Sequence, residues 1–228
     1  AMGRGIAQIA AQAGSSVLLF DTQAEAVAKA RDALGAQWDK LVEKGRLDGA
    51  AAAAQKQRLQ PAASLGDLAG CDLIVEAIVE RLDVKQALFA ELEGIVQPSA
   101  VLATNTSSLS VTAIAAKLKR PARFAGFHFF NPVPLMKVVE VIAGLKTDPA
   151  TCQALTDYAR QMGHTPGFIV NHAGRGYGTE ALRIASEGVA DFATIDRILR
   201  DQVGFRLGPF ELFDLTALDV SHPVMESI

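Results

Sequence analysis

Apolar and polar positions along this chain follow two patterns in turn, a helical period of three to four residues and short unbroken apolar runs. Residues Met2 to Ala13 carry the helical period and stop at Gly14, and Val17 to Phe20 is an apolar run ending at Asp21. A long Ala-rich, charge-bearing helix is predicted from Gln23 to Lys44, with Trp38, Leu41 and Val42 as its apolar stripe. A second polar helix from Gly49 to Leu59 makes the two read as a helical hairpin projecting from a sheet. Strand-like runs resume at Asp72 to Ala77, Val101 to Thr104, Phe124 to Phe129 and Val138 to Ile142, the first three separated by helices over Val84 to Glu93 and Val111 to Leu118. This alternation predicts an α/β fold with a doubly wound, mostly parallel sheet. After Pro149 the pattern is helical, over Ala150 to Met162, Tyr177 to Ala190 and Ile195 to Val203. Residues 1–168 therefore read as the sheet domain and 169–228 as part of a mostly helical one, with Gly174, Gly176 and Gly178 as a hinge or a loose interface between them.

Composition narrows the function classes. The 228 residues are half apolar, enough for one α/β domain and part of a second. Twenty-two basic residues against 25 acidic ones leave a formal charge of −3 with no basic block, so nucleic acid is not expected as a partner. Cys71 and Cys152 lie far apart in no metal-ligand spacing, which predicts reduced thiols, a cytoplasmic location and no metal site. No apolar run approaches a membrane span, and the amphipathic pattern after Ala1 is unlike a signal peptide, so no membrane partner is expected either.

Candidate chemistry gathers where the predicted strands end, the edge at which open α/β folds bind ligands. A hydroxyl cluster (Asn105, Thr106, Ser107, Ser108) follows one strand, His128 sits in Phe127-His128-Phe129-Phe130-Asn131-Pro132, and Glu140 sits in an apolar strand. Removing the proton of an alcohol needs a group that exchanges protons near neutral pH, which favours His128 as a general base. Its phenylalanine neighbours disfavour imidazolium, whereas a carboxylate such as Glu140 favours it; Glu140 in turn is costly to bury unless paired. The competing readings are structural: a core histidine bonded to backbone, Ser107 as a helix cap, and Asn171 as a cap at the start of the second domain.

At the other end of the chain, a helix opening at Met2-Gly3 and a strand ending in Asp21 read as the second half of a dinucleotide fingerprint. Asp21 selects NAD over NADP because a carboxylate bonds the ribose 2′-hydroxyl and repels a 2′-phosphate. A helix with an early glycine and an Asp after the next strand is also common without a cofactor. Glu76-Ala77-Ile78-Val79-Glu80 ends the next strand and Lys85 follows on a helix; these residues line the nicotinamide side or form a solvated helix start.

The chain as a whole resembles the 3-hydroxyacyl-CoA dehydrogenase family. The matching words are Val75-Glu76-Ala77-Ile78-Val79-Glu80, Asn105-Thr106-Ser107-Ser108-Leu109, His128-Phe129-Phe130-Asn131-Pro132-Val133-Pro134, Val138-Val139-Glu140-Val141, Thr165-Pro166-Gly167-Phe168-Ile169-Val170-Asn171 and Gly208-Pro209-Phe210-Glu211-Leu212. The resemblance implies a Rossmann-like fold, NAD as cofactor, and oxidation of an (S)-3-hydroxyacyl-CoA to the 3-oxoacyl-CoA. It implies His128 as base, Glu140 as its orienting partner, Ser107 and Asn171 as groups around the substrate oxygen, and Lys44 on the hairpin toward CoA. Cofactor contacts are implied at Met2, Gly3, Asp21, Ala77, Ile78, Glu80, Lys85, Asn105 and Asn131, with Asn131 also supporting the histidine loop, and a homodimer through the helical domain. The closing words, Phe213 to Asp219 and His222-Pro223-Val224-Met225, look closest to bacterial 3-hydroxybutyryl-CoA and phenylacetate-pathway 3-hydroxyadipyl-CoA dehydrogenases.

Two alternatives remain open: a catalytically idle NAD- or CoA-binding protein of the same fold, and a dehydrogenase module of a larger β-oxidation protein. The family pattern places a strand and a glycine turn ahead of Ala1, further helical sequence beyond Ile228, and an extra strand between His164 and Thr165. Here His164 runs directly into Thr165-Pro166-Gly167, so an omitted segment is expected at that point.

Overall fold

The computed structural model describes residues 2–167 and 169–216, with side chains at all of these except 24, 169–175 and 216. It divides into two compact units, Ala1–Gly167 and Phe168–Ile228.

In the first unit, helix α1 (Met2–Gln12) buries Ile6, Ala7, Ile9, Ala10 and Ala11. It ends where Gly14 adopts a φ of 100°, a left-handed geometry that glycine reaches without a Cβ clash. There the Ser15 N–H closes back on the Ala10 carbonyl at 3.1 Å, satisfying a helix-end acceptor. Strand β1 (Val17–Leu19) follows and pairs in parallel with β2 (Leu59–Pro61). Between them run α2 (Ala24–Glu43) and α3 (Gly49–Arg58), the expected hairpin; Asp48 caps α3 by accepting the Ala51 N–H at 3.0 Å. Fully buried Trp38 and Leu34 pack with Ala7, Ala11, Ala52 and Leu59, so the hairpin is seated on α1.

The second sheet has the order β3 (Leu73–Glu76), β4 (Val101–Thr104), β5 (Phe124–Phe129), β6 (Val138–Ala143) and β7 (Thr165–Gly167). All its pairings are parallel except that of β5 with β6. Helices α4 (Leu82–Ile95), α5 (Val111–Ala115) and α6 (Pro149–Gln161) cover its faces. One core layer holds Ile6, Ile9, Phe127, Phe129, Val139 and Leu155; the opposite one holds Ile74, Phe89, Leu92, Leu102, Ile114 and Phe124. Burial on both faces explains why β4 and β5 read as unbroken apolar runs. Phe89 meets Phe124 edge-on at 4.7 Å, a favoured aromatic geometry.

Three expectations need correcting. Leu59, expected as the last residue of the second helix, instead opens β2, because Pro61 cannot donate to a helix and an edge strand tolerates it. Thr165-Pro166-Gly167 is a strand beside β6, which its sequence did not suggest, with the Thr165 N–H donating to the Lys137 carbonyl at 2.7 Å. In the second unit, α7 (Ile169–Ser186) starts before Tyr177 and runs through Gly174, Gly176 and Gly178, where a hinge or a loose interface was expected. Packing accounts for one of those glycines: a Cβ on Gly178 would lie 2.6 Å from the Phe213 ring.

That unit continues with α8 (Phe192–Asp201), capped by Asp191 accepting from the Thr194 N–H at 2.7 Å, and α9 (Pro209–Thr216). Buried Asp196 of α8 accepts from the Phe210 and Glu211 amides at 2.9 and 3.1 Å, so α8 caps α9. The sequence from 217 onward, including His222 to Met225, lies outside the described residues.

Gly5 matters to the site because it lets α1 touch the segment after β5. A Cβ there would fall 2.8 Å from the Cβ of Val133, which is 2% exposed. Gly5→Ala gains about 1 kcal/mol of helix propensity but overpacks a site whose relief costs about 1–3 kcal/mol. The variant should unfold at lower urea than the wild type; an unchanged or raised midpoint would show that Val133 yields.

Candidate active site

Strand β5 is buried along its whole length, and β6 returns beside it antiparallel, with His128 opposite Glu140. Directly opposed residues in such a ladder project from the same face. Their side chains meet there, Nδ1 of His128 lying 3.0 Å from Oε2 of Glu140. His128 is 7% exposed and Glu140 1%. An ionised carboxylate only accepts, so opposite an ionised Glu140 the hydrogen would sit on Nδ1 and Nε2 would be the basic nitrogen. The Phe130 ring lies 4.7 Å from the imidazole, an apolar neighbour. Asn105 supports this strand from β4: its Oδ1 accepts the Phe129 N–H at 2.8 Å, just past the Thr104–Gly126 end of the β4–β5 ladder.

A second cluster forms at the ends of β3 and β4. Glu76, 4% exposed, accepts from the Lys85 ammonium at 2.6 Å, the Ile78 N–H at 2.6 Å and the Thr104 hydroxyl at 2.7 Å. The ammonium also lies 3.2 Å from Oε2 of Glu80. Oε1 of Glu80 takes the Thr106 hydroxyl and the amides of Ser107 and Ser108 at 2.9 and 3.2 Å. Lys85 is wholly enclosed, so it is not the solvated helix start that its spacing allowed. Thr104 was not singled out in the sequence, and the burial of Glu76 was not read there. The signal was present, since Glu76 in Leu73–Glu76 is a carboxylate in an apolar strand and demands a partner as Glu140 does.

The start of α1 lies against the end of β3, for a Cβ on Gly3 would come 3.8 Å from that of Ala77. Met2, Gly3, Ala77 and Ile78 therefore share one edge. The first turn of α1 carries no acidic side chain, leaving the positive end of the helix for an anion. Asp21, just past β1, is exposed and accepts its own Gln23 N–H at 2.9 Å. Small residues, a helix start without a carboxylate, and an exposed acid after the next strand fit a dinucleotide of the NAD type. Asn131 is exposed on the loop after β5, and Lys44 is exposed at the C-terminal end of α2. The Asn171 side chain lies outside the described residues.

Burial pushes the Glu80 carboxyl up, but the Thr106 hydroxyl, the Lys85 charge and the Ser107 amide outweigh it and hold the group below the usual glutamate range. A depressed folded-state value stabilises the fold above the unfolded value of about 4.3, and the stability is lost as pH falls through the folded value. Glu80→Gln should therefore be less stable than the wild type in urea at neutral pH, with the gap closing below about pH 4. A gap that widens on acidification would contradict the assignment.

Comparison with known proteins places this geometry in a lineage. Residues 1–172 match the family model for the NAD binding domain of 3-hydroxyacyl-CoA dehydrogenase, and residues 167–228 match that for its C-terminal domain. The chain is 45% identical over 234 residues to the 3-hydroxyadipyl-CoA dehydrogenase of Escherichia coli (strain K12), covering 100% of itself and 49% of that protein, so it spans about half of that relative's length. It is 40% identical to a probable 3-hydroxybutyryl-CoA dehydrogenase of Deinococcus radiodurans, covering 99% of itself and 83% of the relative. The crystal structure of 3-hydroxybutyryl-CoA dehydrogenase from Escherichia coli K12 superposes with a TM-score of 0.91 at 45% identity, over 99% of this chain and 49% of that one. With both domain models matched in order, and a buried imidazole–carboxylate pair beside an edge that fits a dinucleotide, the chain belongs to the 3-hydroxyacyl-CoA dehydrogenase family.

Proposed function

We propose that the protein oxidises (S)-3-hydroxyacyl-CoA to 3-oxoacyl-CoA with NAD, His128 acting as general base. The observation that carries this reading is the buried contact of His128 Nδ1 with Glu140 Oε2 at 3.0 Å. That contact orients the imidazole and stabilises the imidazolium formed when Nε2 takes the proton of the substrate hydroxyl. NAD, when bound, would supply the hydride acceptor, so that C3 becomes a carbonyl carbon as its hydroxyl group loses a proton and C3 loses a hydride. Ser107 and Asn171 are assigned to hydrogen bonds around the substrate oxygen, Asp21 to the adenosine ribose, and Lys44 to the CoA end.

The names of the two relatives point to a short or a dicarboxylic acyl chain, and both kinds belong in the assay. We place the protein in the cytoplasm, consistent with the free thiols of Cys71 and Cys152. The working form in this reading is a homodimer through the helical unit, where Val189, Phe192 and Phe205 are exposed apolar residues.

The test follows NADH absorbance with full-length protein and 3-hydroxybutyryl-CoA or 3-hydroxyadipyl-CoA. His128→Ala should lower turnover by about 10²- to 10⁴-fold, and Glu140→Gln by a comparable factor, with NADH binding retained in both. Turnover at the wild-type rate in His128→Ala would remove the proposed base. Asp21→Ala should raise the KM for NAD while leaving the acyl-CoA KM within about twofold, since only the ribose loses a partner; equal changes in both would argue against that assignment.

A further inference from the structure

His128 is the base in the reading above, on which the present inference rests, and residues 130–137 join its strand to that of Glu140. This segment has no helix or strand of its own, so contacts with its surroundings fix its course. Phe130 at its start lies against the His128 ring, and Val133 is packed against Gly5 of α1. The Val133 carbonyl is met from elsewhere, for Nε2 of His164 lies 3.1 Å away. No other donor among the described residues reaches that carbonyl, and a buried acceptor left without a donor is costly.

The end of α6 sets His164 in place. Gly163 takes a φ of 75°, its N–H returns to the Arg160 carbonyl at 2.9 Å, and the His164 N–H returns to the Ala159 carbonyl at 2.9 Å. These are the paired bonds that close a helix at a left-handed glycine. The His164 ring, 3% exposed, then meets Phe129 edge-on at 5.7 Å. Its Nδ1 lies 3.2 Å from the Met162 carbonyl at the same helix end. Nδ1 thus faces its own turn, whereas Nε2 reaches across to the segment between His128 and Glu140.

We infer that His164 is a positioning residue for His128: its Nε2–H donates to the Val133 carbonyl and anchors the 130–137 segment to the end of α6. The anchor and the packing on Gly5 hold Val133 twice, through its backbone and through its side chain. Phe129 and Phe130, the two residues that follow His128, touch the His164 and His128 rings in turn. Loss of the anchor therefore shifts the apolar wall of the base, and a displacement of about 1 Å in a reacting group costs up to about 100-fold in rate.

The experiment compares full-length wild type, His164→Gln, His164→Asn and His164→Leu. A glutamine amide nitrogen stands about where Nε2 does and an asparagine one about where Nδ1 does, so Gln keeps the donor to Val133 and Asn the donor to Met162. Each protein is measured for kcat with saturating NAD and 3-hydroxybutyryl-CoA, for its urea midpoint, and for the nitrogen-15 shifts of the His128 ring. His164→Asn and His164→Leu should lower kcat by about 10- to 100-fold and move the His128 shifts. His164→Gln should keep kcat within about threefold of the wild type and leave those shifts in place.

A residue that only caps α6 gives another pattern, in which Asn rescues and Gln does not, or the urea midpoints fall while kcat and the His128 shifts stay at wild-type values. Either result would overturn the anchor, as would losses in Gln equal to those in Leu. If Asn and Leu do not fold, the wild type decides by nitrogen-15 NMR of its histidines, with His164→Gln identifying the His164 resonances. A proton on Nε2 of His164 is expected, and a bare Nε2 would overturn the proposal, as would failure of His164→Gln to fold, since the donor it keeps should suffice. If the wild type itself shows no turnover, the dehydrogenase reading fails while the histidine resonances still decide the anchor.

Discussion

A carboxylate withdrawn from water needs a partner, and for Glu140 that partner is the imidazole of His128. The contact depends on a reversal of chain direction. Strands β3, β4 and β5 run parallel, whereas β6 returns antiparallel, which sets Glu140 opposite His128 in the ladder. A slip of one residue would put Val139 or Val141 there and turn the carboxylate to the other face of the sheet. The apolar residues around the pair hold the register: Phe127 and Phe129 are fixed in one core layer and Phe124 in the other. Core packing and site geometry are in this sense one constraint.

The same rule governs the neighbouring strand end. Glu76 closes β3 as a buried carboxylate and is satisfied by Lys85, Thr104 and the Ile78 amide. Two buried acids thus lie on strands β3 and β6, each fixed by its own partners, with the hydroxyl loop and the start of α1 at the β3 edge. Rigid strands hold the acids, and the short connections after them carry the groups assigned to ligand contact. This division of labour is usual in open α/β folds, where loops vary over a fixed scaffold.

Much of this was legible in the residues, for identifiable reasons. The bounds of β4 and β5 followed from their unbroken apolar runs; the cost of burying a charge said that Glu140 needs a partner, and the family resemblance implied that the partner is His128. Elements set by tertiary contact were not legible. Leu59 looked like the end of a helix, and Thr165-Pro166-Gly167 did not read as a strand because Pro166 and Gly167 are poor strand formers; β2 and β7 form because a neighbouring strand accepts them. The glycines of α7 suggested a hinge, yet the helix runs through them, and at Gly178 the missing Cβ makes room for Phe213. The burial of Lys85 was not legible because nine residues of separation do not tell whether an ammonium on α4 reaches a carboxylate on β3. Asn105 was read as a cofactor contact, while its side-chain oxygen is engaged by the Phe129 amide, a partner that only strand register could disclose.

The account rests on which imidazole nitrogen carries the hydrogen. Nitrogen-15 NMR of histidine-labelled full-length protein measures this directly, with His128→Ala identifying the resonances. The geometry predicts a proton on Nδ1, its resonance shifted in Glu140→Gln, with Nε2 as the basic nitrogen. A proton on Nε2 over a bare Nδ1, unaffected by Glu140→Gln, would contradict it.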